Sequence, residues 1–411
     1  MESDTIRKPR VLVMASTFPR WKNDSEPAFV FELSRRLSDE FDITVLSPRS
    51  PGSLTGESMG GLKIIRFPYF LPRWENLATH SGGILNRLRA NPFNYLLVPF
   101  FLLGQMLALI RLLRKERFDL IHAHWLIPQG LIAVIALLLT RKHIPLVCTS
   151  HGGDLFALKA RVFQRLKRWV MDNSAALTVV SRAMKETVVD MGVAADKVQV
   201  IPMGVDLKNN FIPDATVLRK TDELLFVGRL VEKKGVSYLL EAMPAVLKKF
   251  PSIRLNIAGS GPMEKDLNQQ IQRLDLSGKV TFLGMVHQSE LPGLYQRATL
   301  AVFPFIIAES GDQEGFGLVQ VEAMGCECPV ITGDLPAIHD IVTHEVNGLI
   351  FPSGNTKALA DSIIRLLADP GFRESLANEG RIRAAEMFDW DIIAQKYAEV
   401  YKQLLNNWWS V

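Results

Sequence analysis

Short apolar, β-branched runs alternate with amphipathic stretches of helical length along nearly the whole chain, and this alternation limits the fold more than any other feature. A run of three to five such residues followed by a helix reads as a parallel strand, buried on both faces, with its crossover helix. One set of runs comprises Val11–Ala15, Ile43–Leu46, Leu120–Ala123, Leu146–Thr149, Leu177–Val180 and Val198–Ile201. A second comprises Leu224–Val227, Leu255–Ala258, Val280–Leu283, Leu300–Phe303, Val330–Thr332 and Leu349–Phe351. Between the sets, Pro202–Asp222 carries Gly204, Asn209, Asn210 and Pro213, which interrupt regular structure. The pattern predicts an α/β protein of two doubly wound, Rossmann-like domains, each binding its ligand at the carboxyl ends of its strands. The expected divisions are an N-terminal domain over 1–206, a linker over 207–222, a C-terminal domain over 223–388, and a terminal helix over 389–411 that packs back on the N-terminal domain. At about 150 residues per domain, 411 residues accommodate this arrangement.

An apolar fraction of 48% excludes a disordered chain. Cys148, Cys326 and Cys328 are too few and too unevenly placed for a disulfide framework, and Cys326-Glu327-Cys328 has no second pair to complete a zinc site. A reducing cytoplasm suits them. Charge is unevenly spread, with 27 Lys and Arg against 18 Asp and Glu over residues 1–206, and 20 against 25 over the remainder. The basic half suits anionic lipid or a phosphorylated substrate. Nucleic acid is not expected as a partner, because no arginine–aromatic repeat, zinc signature or helix-turn-helix accompanies the charge.

Met1–Arg10 is charged and Val11–Ala15 is too short for a secretory apolar core, so no signal peptide is expected. Pro92–Ile110 is uncharged and about as long as a bilayer core requires. Pro92, Asn94, Pro99, Gly104 and Gln105 interrupt it, which favours a core helix or one lying partly in the lipid interface. The tail Trp390–Leu405 has helical periodicity with Asp389 as its cap. Asp389-Trp390-Asp391 also has the Asp-x-Asp spacing of some metal–nucleotide sites, but both acids open a helix whose dipole favours negative charge, so capping is the reading adopted.

Chemistry concentrates in the second half. Gly311-Asp312-Gln313-Glu314-Gly315-Phe316-Gly317 leads into the apolar run Leu318–Met324, which reads as a helix whose free N–H groups point back to the glycines and attract an anion or a polar sugar. Glu314 stands before that helix and Glu322 about two turns into it, so one acid can meet a sugar while the other reaches a ribose. Gly228-Arg229-Leu230-Val231-Glu232-Lys233-Lys234-Gly235 directly follows a strand. Arg229 and Lys234 there offer a guanidinium fork and an ammonium, which hold the charge developing on a departing diphosphate. Gly259-Ser260-Gly261-Pro262 makes a third tight loop at the same edge.

At this point the sequence resembles the retaining glycosyltransferases of family 4, which have the two-domain GT-B fold with the domains facing a cleft. The resemblance rests on His122-Ala123-His124-Trp125 with Pro128-Gln129-Gly130, Ser150-His151-Gly152-Gly153-Asp154, Val180-Ser181-Arg182 and Ile201-Pro202-Met203-Gly204-Val205-Asp206. It continues through the three loops above and Phe282-Leu283-Gly284, so that it covers nearly the whole chain. It implies an acceptor domain first and a nucleotide-sugar donor domain second. Arg229 and Lys234 match the pair that contacts the donor diphosphate, Glu322 the acid on the ribose, and Glu314 the acid on the transferred sugar. Backbone around Phe316, Gly317 and Leu318, with Gly228 and Gly259, matches the donor-facing surface, Met285 and Val286 the nucleobase position, and His151 the histidine facing the sugar. No cofactor beyond the donor substrate, no metal and no side-chain base are implied, because the departing phosphate can take the acceptor's proton. Many members carry a Gly-Gly pair after the first strand, whereas Thr17–Phe29 here has no glycine and resembles a subset with a Phe-Pro opening; no acceptor contact is assigned to it.

The expected function is transfer of a sugar from a nucleotide-diphospho-sugar to a glycan or lipid-linked acceptor in cell-surface polysaccharide or glycolipid synthesis. A nucleotide-sugar epimerase, a polysaccharide synthase and a non-catalytic sugar-nucleotide-binding or membrane-scaffold protein are the alternatives. Leu158–Val170 sets Arg161, Arg165 and Arg168 near one helical face, away from Val162, Phe163, Leu166 and Trp169. With Pro92–Ile110, the basic run Arg111–Arg117 and Trp408-Trp409, it suggests that the first domain touches an anionic membrane from the cytoplasmic side.

Overall fold

The computed structural model describes residues 7–22, 24, 26–78, 83, 84, 87, 88 and 91–409. Most of the charged opening, and Asn23 and Ser25 of the Thr17–Phe29 loop, lie outside them. The chain divides into a first unit of Met1–Val180, Met184–Ile201 and Ile393–Val411, and a second of Ser181–Ala183 and Pro202–Ile392.

The first unit holds β1 (Arg10–Met14), β2 (Asp42–Pro48), β3 (Gly56–Met59), β4 (Leu62–Phe67), β5 (Leu120–His124), β6 (Leu146–Ser150), β7 (Ala176–Val179) and β8 (Val198–Val200). They form one sheet in the order β3-β4-β2-β1-β5-β6-β7-β8, parallel except for the β3–β4 hairpin. Val11–Met14, Ile121 and Val147 are essentially inaccessible to solvent, as continuous apolar runs in a doubly covered sheet must be. The hairpin was not anticipated, although Gly60-Gly61 between Met59 and Leu62 is a two-residue turn signal.

The second unit holds β9 (Glu223–Val227), β10 (Arg254–Ala258), β11 (Val280–Gly284), β12 (Leu300–Phe303), β13 (Val330–Gly333) and β14 (Leu349–Phe351), all parallel, in the order β11-β10-β9-β12-β13-β14. One core cluster of this unit packs Leu224, Phe226, Leu255 and Ile257 with Leu239, Leu240 and Met243 of the helix Val236–Lys249. Residues 207–222, expected as a linker, instead pack into this unit. Leu207 and Phe211 are buried, and Arg219 donates to the carbonyls of Tyr295, Ala298 and Cys326.

The terminal helix Trp390–Trp409 is capped as expected, with the Asp391 amide donating to Asp389 Oδ1 at 3.0 Å. From Ile393 onward it belongs to the first unit. There the Tyr401 hydroxyl lies 2.6 Å from His122 Nδ1, and His122 Nε2 lies 2.6 Å from Thr149 Oγ1.

Pro92–Lys115 is long and apolar enough to cross a membrane by length and composition alone. Its helix Val98–Lys115 nevertheless docks on the first unit, burying Phe101, Leu109 and Leu113. The helix Arg161–Asp172 is less free than its sequence suggests. Lys167 turns inward to the carbonyls of Leu155 and Ala157, and Arg168 is held by Asp172 and the Met191 carbonyl, leaving Arg161 and Arg165 outward.

Candidate functional site

In the second unit strand order reverses beside β9, whose neighbours are β10 and β12. Loops leaving the carboxyl ends of such strands diverge, and a doubly wound sheet binds ligands there. β9 runs into Gly228 and Arg229, β10 into Gly259, β11 into Met285 and Val286, and β12 into Pro304 and Phe305. Gly259 has φ +142°, and a β-carbon on it would sit 1.9 Å from the Gly228 carbonyl oxygen. Only glycine permits that approach. The Gly228 amide donates to Ala258 O at 2.9 Å, Leu230 to Ser260 O at 3.0 Å and Gly259 to Gly284 O at 2.7 Å, so three strand ends are laced together. Met285, just beyond, is exposed.

Three consecutive residues then pin the glycine-rich loop. Glu232 accepts the Glu309 amide at 2.7 Å, Lys233 donates to Asp312 Oδ1 and the Gln313 carbonyl at 3.1 Å each, and Lys234 Nζ lies 2.6 Å from Glu314 Oε2. Lys234 is buried, with its ammonium 4.5 Å from the centre of the Phe305 ring. Burial lowers the Lys234 pKa from its usual value, with Glu314 opposing. Burial alone would raise the Glu314 pKa, but Lys234, Lys233 and Arg229 outweigh it and bring the pKa down to about 2. Arg229 is exposed, and its charge acts on both members of the pair.

Glu314 is followed by Gly315, the buried Phe316 and Gly317, after which the helix Leu318–Gly325 begins. Phe316 packs edge-on against Phe388 at 5.5 Å, so its side chain anchors the loop. The first N–H groups of a helix lack intrahelical acceptors and carry positive partial charge, which makes this helix start a receptor for an anion. Glu322, on the buried side of the same helix, accepts from the Tyr295 hydroxyl at 3.4 Å. Burial raises its pKa to about 7, with Tyr295 and Lys234 opposing.

The structure thus joins Lys234 directly to Glu314, places Arg229 and Glu322 within their electrostatic reach, and sets Gly228 against Gly259. Sequence reasoning missed Lys233, Phe305 and Tyr295 as partners. Lys233 lay inside the quoted loop, while the other two carry no local signal. Among the described residues, no group of three or more His, Cys, Asp and Glu is arranged to hold a metal ion.

In the first unit the order reversal lies beside β1, between β2 and β5. His151, which follows β6, stacks on His124 with ring centres 5.2 Å apart and shares a 3.0 Å hydrogen bond with its Nδ1. Phe29 and Trp125 flank it at 4.8 and 5.2 Å. Burial lowers the His151 pKa to about 3, so the ring is neutral and a poor base. Asp154 caps the turn, accepting from the Leu126 amide, the Ser150 hydroxyl and the His151 amide. Phe29 gives the glycine-free loop a contact with His151 that its composition did not reveal.

Residues 28–209 match the family described as Glycosyltransferase Family 4, and residues 209–383 the family described as Glycosyl transferases group 1. The chain is 31% identical over 363 residues to an uncharacterized glycosyltransferase of Methanocaldococcus jannaschii, covering 82% of this chain and 88% of that one. It is 27% identical over 380 residues to the phosphatidyl-myo-inositol mannosyltransferase of Mycolicibacterium smegmatis, covering 91% and 88%. Among solved structures, sucrose-phosphate synthase of Thermosynechococcus elongatus superposes with a TM-score of 0.77 at 22% identity, covering 97% of this chain and 100% of that one. Anabaena HepE in complex with UDP and glucose superposes with a TM-score of 0.73 at 20% identity, covering 96% and 100%. The chain belongs to the family 4, group 1 glycosyltransferases and has their GT-B fold of two parallel-sheet domains.

Proposed function

We propose that this chain is a retaining, metal-independent glycosyltransferase that moves a sugar from a nucleoside-diphosphate sugar to a glycan or lipid-linked acceptor. It would work in the cytoplasm, in cell-surface polysaccharide or glycolipid synthesis. The observation that carries the reading is the buried Lys234–Glu314 pair beside the start of the helix Leu318–Gly325, on a backbone cradle of Gly228 and Gly259.

In the reaction, the bond from the anomeric carbon to the β-phosphate oxygen breaks and its electron pair leaves with the diphosphate. The acceptor hydroxyl oxygen bonds to the anomeric carbon from the same face, and its proton passes to the departing phosphate oxygen. Arg229 and Lys234 stabilise the charge growing on that phosphate, and the helix start adds its N–H groups. Glu314, ionised throughout the physiological range, accepts from sugar hydroxyls and favours a positive anomeric centre. Glu322 takes the ribose hydroxyls, and Met285 and Val286 lie where the base would rest. His151, neutral and weakly basic, positions the sugar and does not abstract the proton.

The relative named a phosphatidyl-myo-inositol mannosyltransferase supports a lipid-linked acceptor, and the relative solved with UDP supports uridine as the first base to try. Calorimetry and thermal shift with UDP, GDP and ADP test the donor. Saturable binding of one of the three is expected, together with a turnover loss of roughly 10²-fold or more in Lys234→Ala and in Arg229→Ala. Indifference to all three diphosphates, or near-native rates in both variants, would refute the reading.

A further inference from the structure

The helix Val98–Lys115 carries two apolar stripes. Phe101, Leu109 and Leu113 face inward and are buried. On the other side Phe100, Leu103 and Leu107 are 47%, 55% and 59% exposed, at intervals of three and four residues, and Leu96, in the 3-10 turn Pro92–Leu97 that leads into the helix, is 70% exposed. That spacing puts Phe100, Leu103 and Leu107 in one line about 10 Å long. A soluble surface seldom keeps so continuous an apolar row bare.

The same interval continues into Arg111 and Arg114, both exposed. Residues 91–115 contain no Asp or Glu, and Glu116, the nearest acid, is committed to Arg10 and Lys63. The neighbouring helix Leu131–Thr140 packs alongside and repeats the pattern, with Leu138 and Leu139 exposed just before exposed Arg141 and Lys142. Trp408 donates its indole N–H to the His143 carbonyl at 3.2 Å, which sets a ring 43% exposed beside that basic end.

We propose that this outer face of the first unit docks on an anionic lipid bilayer, with the helix Val98–Lys115 lying along the surface. A second copy of the chain would offer the same leucines and guanidinium groups and no carboxylate from this stretch to meet them. A bilayer supplies both partners: acyl chains for Leu103 and Leu107, and anionic headgroups for Arg111 and Arg114, with Trp408 at the boundary. The inward stripe keeps the helix fastened to the sheet, so the protein rests on the membrane and does not cross it through this helix. The surface belongs to the first unit and the residues proposed for the donor to the second, so nucleotide binding reads out one proposal and lipid binding the other.

Flotation of the full-length protein with vesicles of phosphatidylcholine alone, or mixed equally with phosphatidylglycerol, tests it. Recovery with the anionic vesicles at low salt is expected to exceed that with phosphatidylcholine by about tenfold or more, and to fall with salt. The triple variant Phe100→Ser, Leu103→Ser, Leu107→Ser should lose flotation while keeping diphosphate binding and its circular dichroism. Arg111→Gln with Arg114→Gln should weaken anionic binding about fivefold per cation. If the triple variant fails to fold, an environment-sensitive dye on Leu103→Cys should shift to the blue on anionic vesicles. Wild-type protein staying in the soluble fraction at low salt, a triple variant that floats like wild type, or a dye that ignores the vesicles would each overturn the proposal. So would a dimer in sedimentation velocity that needs the stripe while vesicles go unbound.

Discussion

Replacing Glu314 by Gln keeps the side chain's shape and removes the charge that faces Lys234. The Glu314 side chain is only 16% exposed, so solvent screens the pair little. Its pKa falls from 4.5 to about 2 on folding, which corresponds to about 3 kcal/mol at roughly 1.4 kcal/mol per unit. The folded value is the lower one, so this stabilisation is complete above the unfolded pKa of 4.5 and is lost as pH falls toward about 2. At pH 7 the variant should therefore be about 3 kcal/mol less stable than wild type, and by about pH 3 the difference should shrink to roughly half. At about 2–4 °C per kcal/mol for a unit of this size, the transition of the second unit should drop by about 6–12 °C at pH 7. Scanning calorimetry of the full chain at the two pH values measures this, with the exposed Glu309→Gln as a control that leaves the transition in place. A drop below about 2 °C at pH 7, or an equal drop at both pH values, would mean that the pair does not set the electrostatics of this loop.

Two further outcomes follow from the same site. Gly259→Ala puts a β-carbon 1.9 Å from the Gly228 carbonyl oxygen at a φ of +142°, so a loss of roughly 3 kcal/mol or more is expected in urea unfolding, together with loss of diphosphate binding. A near-neutral effect would show that the two loops are not held together. Glu322 has its pKa raised to about 7 by burial, so its carboxylate, the form the proposed ribose contact requires, becomes populated only as pH rises through that value. Nucleoside diphosphate affinity should rise between about pH 6 and 8, and Glu322→Gln should remove that rise in calorimetric titrations, leaving only the ligand's own titration. Parallel pH profiles in the two proteins would place the ribose elsewhere.

The twelve strands read from apolar runs are all strands in the fold, because strands of a largely parallel, doubly covered sheet stay mostly apolar, with few polar positions to disguise them. β3, the edge strand, and β4 beside it escaped because charge interrupts their apolar runs: Lys63 faces outward, and Arg66 is buried by pairing with Glu57 and bonding Ser47. A buried guanidinium is invisible to a reading that equates charge with surface. Residues 207–222 misled for the opposite reason: Leu207 and Phe211 anchor a stretch whose asparagines and prolines look like a linker.

In the site, positions that follow strands were legible, since the chain must turn at each carboxyl end, but partners brought from distant elements were not. Tyr295 reaches Glu322 from another helix, and Phe305 reaches Lys234 from the end of β12. Lys233 and Lys234 make the point most sharply, because their side chains are chemically identical. A β-carbon on Gly235 would lie 1.8 Å from the Pro304 carbonyl oxygen, so the turn Glu232–Lys234 is pressed against the exit of β12. That contact sends Lys234 over the Phe305 ring to Glu314 and leaves Lys233 to Asp312. Which lysine meets Glu314 is therefore decided by a neighbouring glycine and by a strand end far along the chain, neither of which the lysines' own sequence context displays.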